Sequence, residues 1–145
     1  MNIDLVSFVG KLILEYENNF HPLHYLAEKR DGKFSIVSMN SKLKELTGFT
    51  EDYCGTPLEE ISYFKKEAVE FLNAVFNRVW SGKTAVYYAV PHLNRNIYLL
   101  VLAKPVQDEK GECLFIDATC ACVSRDDMES LVIPFIPVRE YQSFE

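Results

Sequence analysis

The strand-like run at residues 96–104 is apolar at nearly every position, and this constrains the fold more than any other feature of the sequence. Its two alternating sets are Ile97, Leu99, Val101 and Ala103 on one side, and Tyr98, Leu100 and Leu102 on the other. A strand in a sheet with one wet face alternates apolar and polar residues instead. We therefore predict a sheet that is covered on both faces, one by a long helix and the other by an N-terminal helix or a second copy of the chain.

The order of the remaining patterns indicates an antiparallel sheet. Runs rich in β-branched and aromatic residues predict strands at residues 23–28, 34–39, 84–90, 96–104 and 112–123. The first two flank the hairpin dipeptide Asp31-Gly32, and helical periodicity predicts a long helix at residues 63–81. Because helices and strands do not alternate, the pattern predicts an α+β fold with helices on one face of the sheet.

The N-terminal segment has the pattern of an amphipathic helix. Apolar residues recur with helical spacing over residues 3–16, and Lys11 and Glu15 are left for solvent. A stripe this wide must cover the domain's own sheet or a second copy of the chain. We predict that residues 1–19 form a cap or dimerisation helix, with these candidate interface residues: Leu5, Phe8, Val9, Leu12 and Tyr16.

Composition limits the classes of partner. The 145 residues suffice for one well-buried domain, and a net charge of −6 argues against a nucleic-acid surface, which needs clustered Lys and Arg. No apolar run reaches the roughly 18 residues of a membrane span, and the first residues lack the basic opening of a signal peptide. We expect a cytoplasmic chain with no membrane partner, whose four cysteines are thiols.

Two motifs of the sequence are similar to those of PAS domains. One is a helix led by Asn40 that ends in Leu-Thr-Gly-Phe at residues 46–49 and is followed by Gly55. An Asn N-cap and a Gly C-cap are the physical signals for such a short helix. The other motif is the hairpin Pro-Val-Gln-Asp-Glu-Lys-Gly at residues 105–111. Residues 23–124 therefore resemble a PAS domain, or sensory box.

This resemblance implies both a fold and a role. The implied fold is a five-stranded antiparallel sheet that holds short helices and one long helix. The implied role is that of a bacterial regulator in signal transduction, a module that is not catalytic by itself, binds a small ligand or a partner protein, and forms a homodimer. The implied effectors are a histidine kinase, a diguanylate cyclase or a transcription regulator.

The end of the sequence departs from the PAS pattern. Many PAS domains close the last strand with Asp-Ile-Thr, whose acid couples the domain to a following helix, whereas this chain has Cys-Val-Ser at residues 122–124. The apolar run at residues 131–138 contains Pro134 and Pro137, which prevent a continuous helix. We expect residues 125–145 to be an extended tail that docks on the domain or a partner, or a linker.

No cofactor, metal or catalytic site is identified from the sequence. Cys54 lacks the neighbours of the flavin-reactive cysteine in light-sensing PAS relatives, and the long helix has no histidine for a haem iron. Cys120 and Cys122 share the apolar side of a strand, which favours buried thiols over metal ligands. Motifs of common enzyme classes are absent, so we expect no enzyme activity.

A cavity between the sheet and the long helix is the remaining candidate site. Eight side chains have a plausible inward direction and are predicted to line it: Val37, Leu46, Phe71, Val75, Tyr88, Leu99, Val101 and Ile116. If these side chains fill the core instead, the chain is a ligand-free structural or dimerisation domain. A small enzyme or carrier on another α+β fold is a third alternative, and it would need a polar cluster in the cavity.

Overall fold

The computed structural model of the chain describes residues 5–91, 93–128, 130 and 141–144; for residues 5, 6, 8 and 141–144 it describes the backbone alone. Four helices and six strands are present in this part of the chain. In chain order they are α1 (Leu5–Asn19), β1 (Leu23–Arg30), β2 (Lys33–Met39), α2 (Ser41–Thr47), α3 (Lys66–Trp80), β3 (Ala85–Ala89), β4 (Ile97–Gln107), β5 (Cys113–Ser124), the single turn α4 (Arg125–Asp127) and β6 (Tyr141–Phe144). Two 3-10 turns, Glu51–Tyr53 and Leu58–Glu60, connect α2 to α3.

The strands form one antiparallel sheet in the order β2-β1-β5-β4-β3-β6. The five strands predicted from the sequence are all present, and the α+β prediction is confirmed. β6 is an addition, since it pairs with the edge of β3 from Val86↔Phe144 to Ala89↔Tyr141. The predicted arm at residues 131–138 lies outside the described residues. None of the helices in the described part of the chain is long and apolar enough to span a membrane.

The short helix α2 has the caps that the sequence predicts. Asn40 Oδ1 accepts a hydrogen bond from the Leu43 backbone N–H (3.4 Å), and Asn40 Nδ2 donates to the Pro22 carbonyl (2.5 Å). At the other end, Gly48 has a φ of 77° and its N–H donates to the Lys44 carbonyl (2.8 Å). These contacts fix both ends of α2, and Asn40 also ties it to the start of β1.

The hairpin between β4 and β5 depends on one carboxylate. Asp108 Oδ1 accepts hydrogen bonds from the backbone N–H groups of Lys110 (2.8 Å) and Glu112 (3.0 Å). An aspartate that binds the backbone two residues ahead replaces a turn hydrogen bond. The second motif of the sequence is therefore a turn signal that sets the register of the two longest strands.

Replacing Gly48 by alanine is expected to lower the free energy of unfolding by roughly 2–3 kcal/mol, because a side chain there is strained and also crowded. The φ is left-handed, and a Cβ atom would lie 2.8 Å from Leu93 Cδ1. Gly32→Ala is the matched control: its φ is 78° with nothing within 4 Å of the added atom, so about 1 kcal/mol is expected. Urea unfolding compares the two. Equal losses would contradict the crowding by Leu93.

Two apolar layers lie on opposite faces of the sheet. The inner layer joins α3 to odd-numbered positions of β3 and β4, and the α3 residues in it include Leu72, Val75 and Phe76. The outer layer joins Val9 and Ile13 of α1 to the even-numbered positions of the same strands. The prediction of a sheet covered on both faces is confirmed, and the chain's own α1 covers the outer face over β3, β4 and β5.

This arrangement corrects one candidate dimer contact. Val9 is 5% exposed because the sheet of its own chain buries it, so it has no surface left for a second subunit. Leu12 and Tyr16 are partly buried against the same outer layer. The side chains of Leu5 and Phe8 lie outside the described residues. On the solvent side of α1 stands Leu14, which is 59% exposed.

Candidate ligand cavity

A cavity of about 90 Å³ lies between the inner face of the sheet and the helices. α2 and α3 contribute Leu43 and Leu72 to its wall, β3 and β4 contribute Tyr87 and Leu99, and the segment before α3 contributes Tyr63. Most of the wall is apolar, and the charged Lys65 is exposed to solvent at one side of it. The site is therefore a small, mostly apolar chamber with few polar groups.

The polar feature of this chamber is a pair of tyrosine hydroxyls. The oxygens of Tyr25 and Tyr87 lie 2.5 Å apart and share a buried hydrogen bond. Burial raises the pKa of Tyr25 well above its usual value, with a smaller contribution from the Tyr87 hydroxyl, and burial also raises the pKa of Tyr87. Both groups are therefore neutral phenols at physiological pH, and each can still donate or accept a proton in a hydrogen bond.

A second set of polar contacts closes the end of the chamber near α2. Tyr63 donates its hydroxyl to the Thr47 carbonyl (2.7 Å), and Thr47 Oγ1 donates to the Leu43 carbonyl (2.8 Å). Thr47 Oγ1 also accepts from the Phe49 backbone N–H (3.2 Å). These groups are engaged with the backbone, so their role is to hold the wall in place.

Aromatic rings fill the space beside that end of the chamber. The ring of Phe49 lies 5.4 Å from Tyr63, edge to face, and 5.3 Å from Tyr53. Tyr63 and Phe64 pack edge to face at 5.0 Å. Because these two residues are held in this cluster, α3 begins at Lys66, three residues after the start that the sequence predicts.

The cysteines contribute little chemistry to the site. Cys120 lines the chamber and is fully buried, which raises the pKa of its thiol, so the thiolate is not formed at physiological pH. Cys54, Cys113 and Cys122 are half-buried. Over the part of the chain that the structure describes, no three His, Cys, Asp or Glu side chains converge in a way that could hold a metal.

Two of the eight predicted lining residues, Leu99 and Val101, line the chamber. Val75 and Ile116 are buried in the same inner layer but beyond its wall. The remaining two on this face, Leu46 and Phe71, are partly buried and pack against that layer. These four therefore support the chamber without lining it.

The other two residues, Tyr88 and Val37, require correction. Tyr88 belongs to the outer layer under α1, and its neighbour Tyr87 faces the chamber. Val37 falls at a register shift: Ile36 pairs with Ala27 and Ser38 with Leu26, so Val37 has no partner in the register of β1. Such a bulge adds one residue to one strand and changes the side on which the following residues lie. Ile36 and Met39 consequently both line the chamber.

The hydroxyl pair of Tyr25 and Tyr87 was not predicted from the sequence, although the sequence carries a signal for Tyr25. In β1 the apolar residues Leu23, Tyr25 and Ala27 recur at every second position, and the polar His24 and Glu28 fall on the other side. This period predicts an inward Tyr25, and the structure buries it. β3 offers no such signal, since four of its five residues are buried. Only its pairing with β4, where Tyr87 is opposite Val101, assigns Tyr87 to the chamber.

The size of the chamber limits its contents. Ligand pockets for drug-sized molecules are typically about 300–1,000 Å³, whereas about 150 Å³ holds a benzene molecule. At about 90 Å³, this chamber has room for a molecule of a few non-hydrogen atoms. A flavin ring system or a haem does not fit a space of this size.

Comparison with known proteins supports the fold through structure rather than sequence. No family model and no curated protein matches the chain. Three similar solved structures are the light state of the aureochrome1 LOV blue-light photoreceptor, a sensory box sensor histidine kinase from Vibrio cholerae, and the PAS-B domain of Drosophila melanogaster Cycle with bound ethylene glycol.

The three structures match most of the chain at low identity. The photoreceptor has 16% identity and a TM-score of 0.56, over 88% of this chain and 98% of that one. The kinase has 15% identity and a TM-score of 0.54, over 83% of this chain and 97% of that one. The Cycle domain has 18% identity and a TM-score of 0.50, over 70% of this chain and 99% of that one. With five antiparallel strands, a long helix on the inner face and capped α2, the chain has the PAS fold.

Proposed function

We propose that the chain is a sensory module of signal transduction that holds a small molecule between its sheet and α3 and is not catalytic by itself. The observation that carries this proposal is the chamber itself, a space partly open to solvent with an apolar wall and one buried hydroxyl pair. Pockets with this character are the usual small-molecule sites of proteins. The similar structures include a sensor kinase and a photoreceptor, which agrees with a sensory role.

The partners follow from the same proposal. A cytoplasmic homodimer that acts on an effector, such as the histidine kinase of the Vibrio cholerae neighbour, is the arrangement we propose. A diguanylate cyclase or a transcription regulator is an equivalent effector. Leu12 and Tyr16 of the candidate interface are partly buried, and Leu14 adds an exposed apolar side chain to the same helix.

A ligand changes such a module only if it binds one conformation better than another. Couplings of this kind are typically about 1–3 kcal/mol. The chamber borders β3, and β3 also pairs with β6, so a molecule in the chamber touches the strand that carries the C-terminal strand. β3 is therefore the element through which we expect occupancy to reach the end of the chain.

The test is binding of a small apolar probe, isobutene (2-methylpropene), to the purified full chain. We expect shifted amide signals of chamber residues in NMR spectra, with a dissociation constant in the millimolar range or below. Ala68→Leu should abolish these shifts, because Ala68 is buried in the chamber wall and three added carbons occupy the space. Ala74→Leu, on the exposed side of the same helix, is the matched control and should bind like the wild type.

The alternative is a ligand-free structural or dimerisation domain, and the small volume of the chamber favours it. Aromatic rings already occupy most of the space near α2. If isobutene binds neither the wild type nor the Ala74→Leu control, the packed core is the correct description. Native mass spectrometry of the same sample adds the mass of the assembly and of any molecule retained from the host.

A further inference from the structure

The two buried hydroxyls have one more donor than their shared hydrogen bond uses. A phenol carries one O–H donor and two acceptor lone pairs. The bond between Tyr25 and Tyr87 consumes one donor and one acceptor. Among the described residues, neither hydroxyl makes another hydrogen bond with the protein. One O–H is therefore left without a protein acceptor, whichever tyrosine donates to the other.

The remaining donor is on a tyrosine that lines the chamber. Tyr25 and Tyr87 both line it, and both side chains are otherwise surrounded by the apolar inner layer. The other polar groups of the wall, Tyr63 and Thr47, donate to backbone carbonyls. A buried donor is normally satisfied by an acceptor, from the protein, a water or a ligand.

Charged ligands do not suit this wall. Moving an ion from water into apolar surroundings is strongly unfavourable unless an opposite charge is near. Apart from the exposed Lys65, the described wall is formed by neutral side chains. The hydroxyl pair supplies no charge, since burial keeps both phenols protonated.

We infer that the chamber selects a neutral molecule of a few non-hydrogen atoms that carries one hydrogen-bond acceptor, such as a carbonyl or ether oxygen, and that the Tyr25–Tyr87 pair donates to that acceptor. This inference rests on the proposed function, because it names the chemical class of the ligand in the same chamber. The apolar remainder of the molecule contacts Leu72, Leu99 and Val101.

The inference is tested with probes of equal size and different polarity, acetone and isobutene (2-methylpropene), added to the full chain and followed by NMR. Acetone gives up hydrogen bonds to water when it enters an apolar site, so its affinity relative to isobutene reports whether the tyrosine pair replaces them. Removal of both hydroxyls should lower this relative affinity roughly tenfold. Protonated isopropylamine should not bind. An unchanged relative affinity, or binding of the amine, would overturn the inference and leave the proposed function standing. Failure of every probe would overturn both.

Variants of the pair give a sharper result because of the donor count. Tyr25→Phe and Tyr87→Phe each leave one hydroxyl with its own donor, so each single variant should keep the relative affinity for acetone over isobutene that the wild type has. Tyr25→Phe with Tyr87→Phe removes both donors, and this relative affinity should fall roughly tenfold while isobutene still binds. Tyr98→Phe, in the outer layer, is the control and should match the wild type. A double variant with the same relative affinity as the wild type would contradict the assignment.

Discussion

Ile13→Asp is expected to destabilise the fold by about 4 kcal/mol or more, enough to unfold a domain of ordinary stability. Ile13 is 4% exposed in the outer layer between α1 and the sheet. An aspartate there must either bury a carboxylate among apolar side chains or detach α1 from the sheet. Detachment exposes even-numbered residues of β3 and β4, including Tyr88 and Leu100. Urea unfolding followed by circular dichroism measures the loss.

Leu14→Asp is the matched control, one residue further along the same helix. Leu14 is exposed, so the same change should alter the free energy of unfolding by no more than about 0.5 kcal/mol. Mass measurements that compare this variant with the wild type also report on dimerisation. A dimeric wild type and a monomeric variant would assign the solvent side of α1 to a subunit interface. An Ile13→Asp chain as stable as the Leu14→Asp chain would mean that α1 does not cover the sheet.

The sequence predicted those parts of the fold whose signals are local or strictly periodic. Asn40 and Gly48 mark both ends of α2, and Asp108 marks the hairpin between β4 and β5. The apolar residues on both sides of β4 predicted an apolar layer on each face of the sheet, and both layers are present. Each of these features depends on backbone hydrogen bonding or side-chain alternation, which a single sequence displays directly.

The chamber was harder to predict because it depends on how strands face one another. β3 is apolar on both sides, so its sequence did not distinguish Tyr87 from Tyr88. In β2, the register shift near Val37 reverses the side on which later residues lie, and no residue type announces it. β6 was missed for a related reason: its four residues, Tyr-Gln-Ser-Phe, are too few for a period to emerge.

The same two-layer geometry predicts the effect of a cavity on the inner side of the sheet. Phe76→Ala is expected to lower the free energy of unfolding by about 3–5 kcal/mol, the usual cost of removing a fully buried ring. Phe76 has no exposed surface, and its ring lies 5.6 Å from Phe34, edge to face, and 6.3 Å from Tyr25. Urea unfolding gives the magnitude.

Asn77→Ala, at the next and exposed position of α3, is the control and should change stability by no more than about 0.5 kcal/mol. The contact with Tyr25 adds a second consequence for Phe76→Ala. Because that ring helps hold Tyr25 against Tyr87, the folded variant should also show a lower affinity for acetone relative to isobutene than the wild type. A loss below about 1 kcal/mol would mean that neighbouring side chains collapse into the space, and that α3 packs less rigidly on the sheet than its buried stripe indicates.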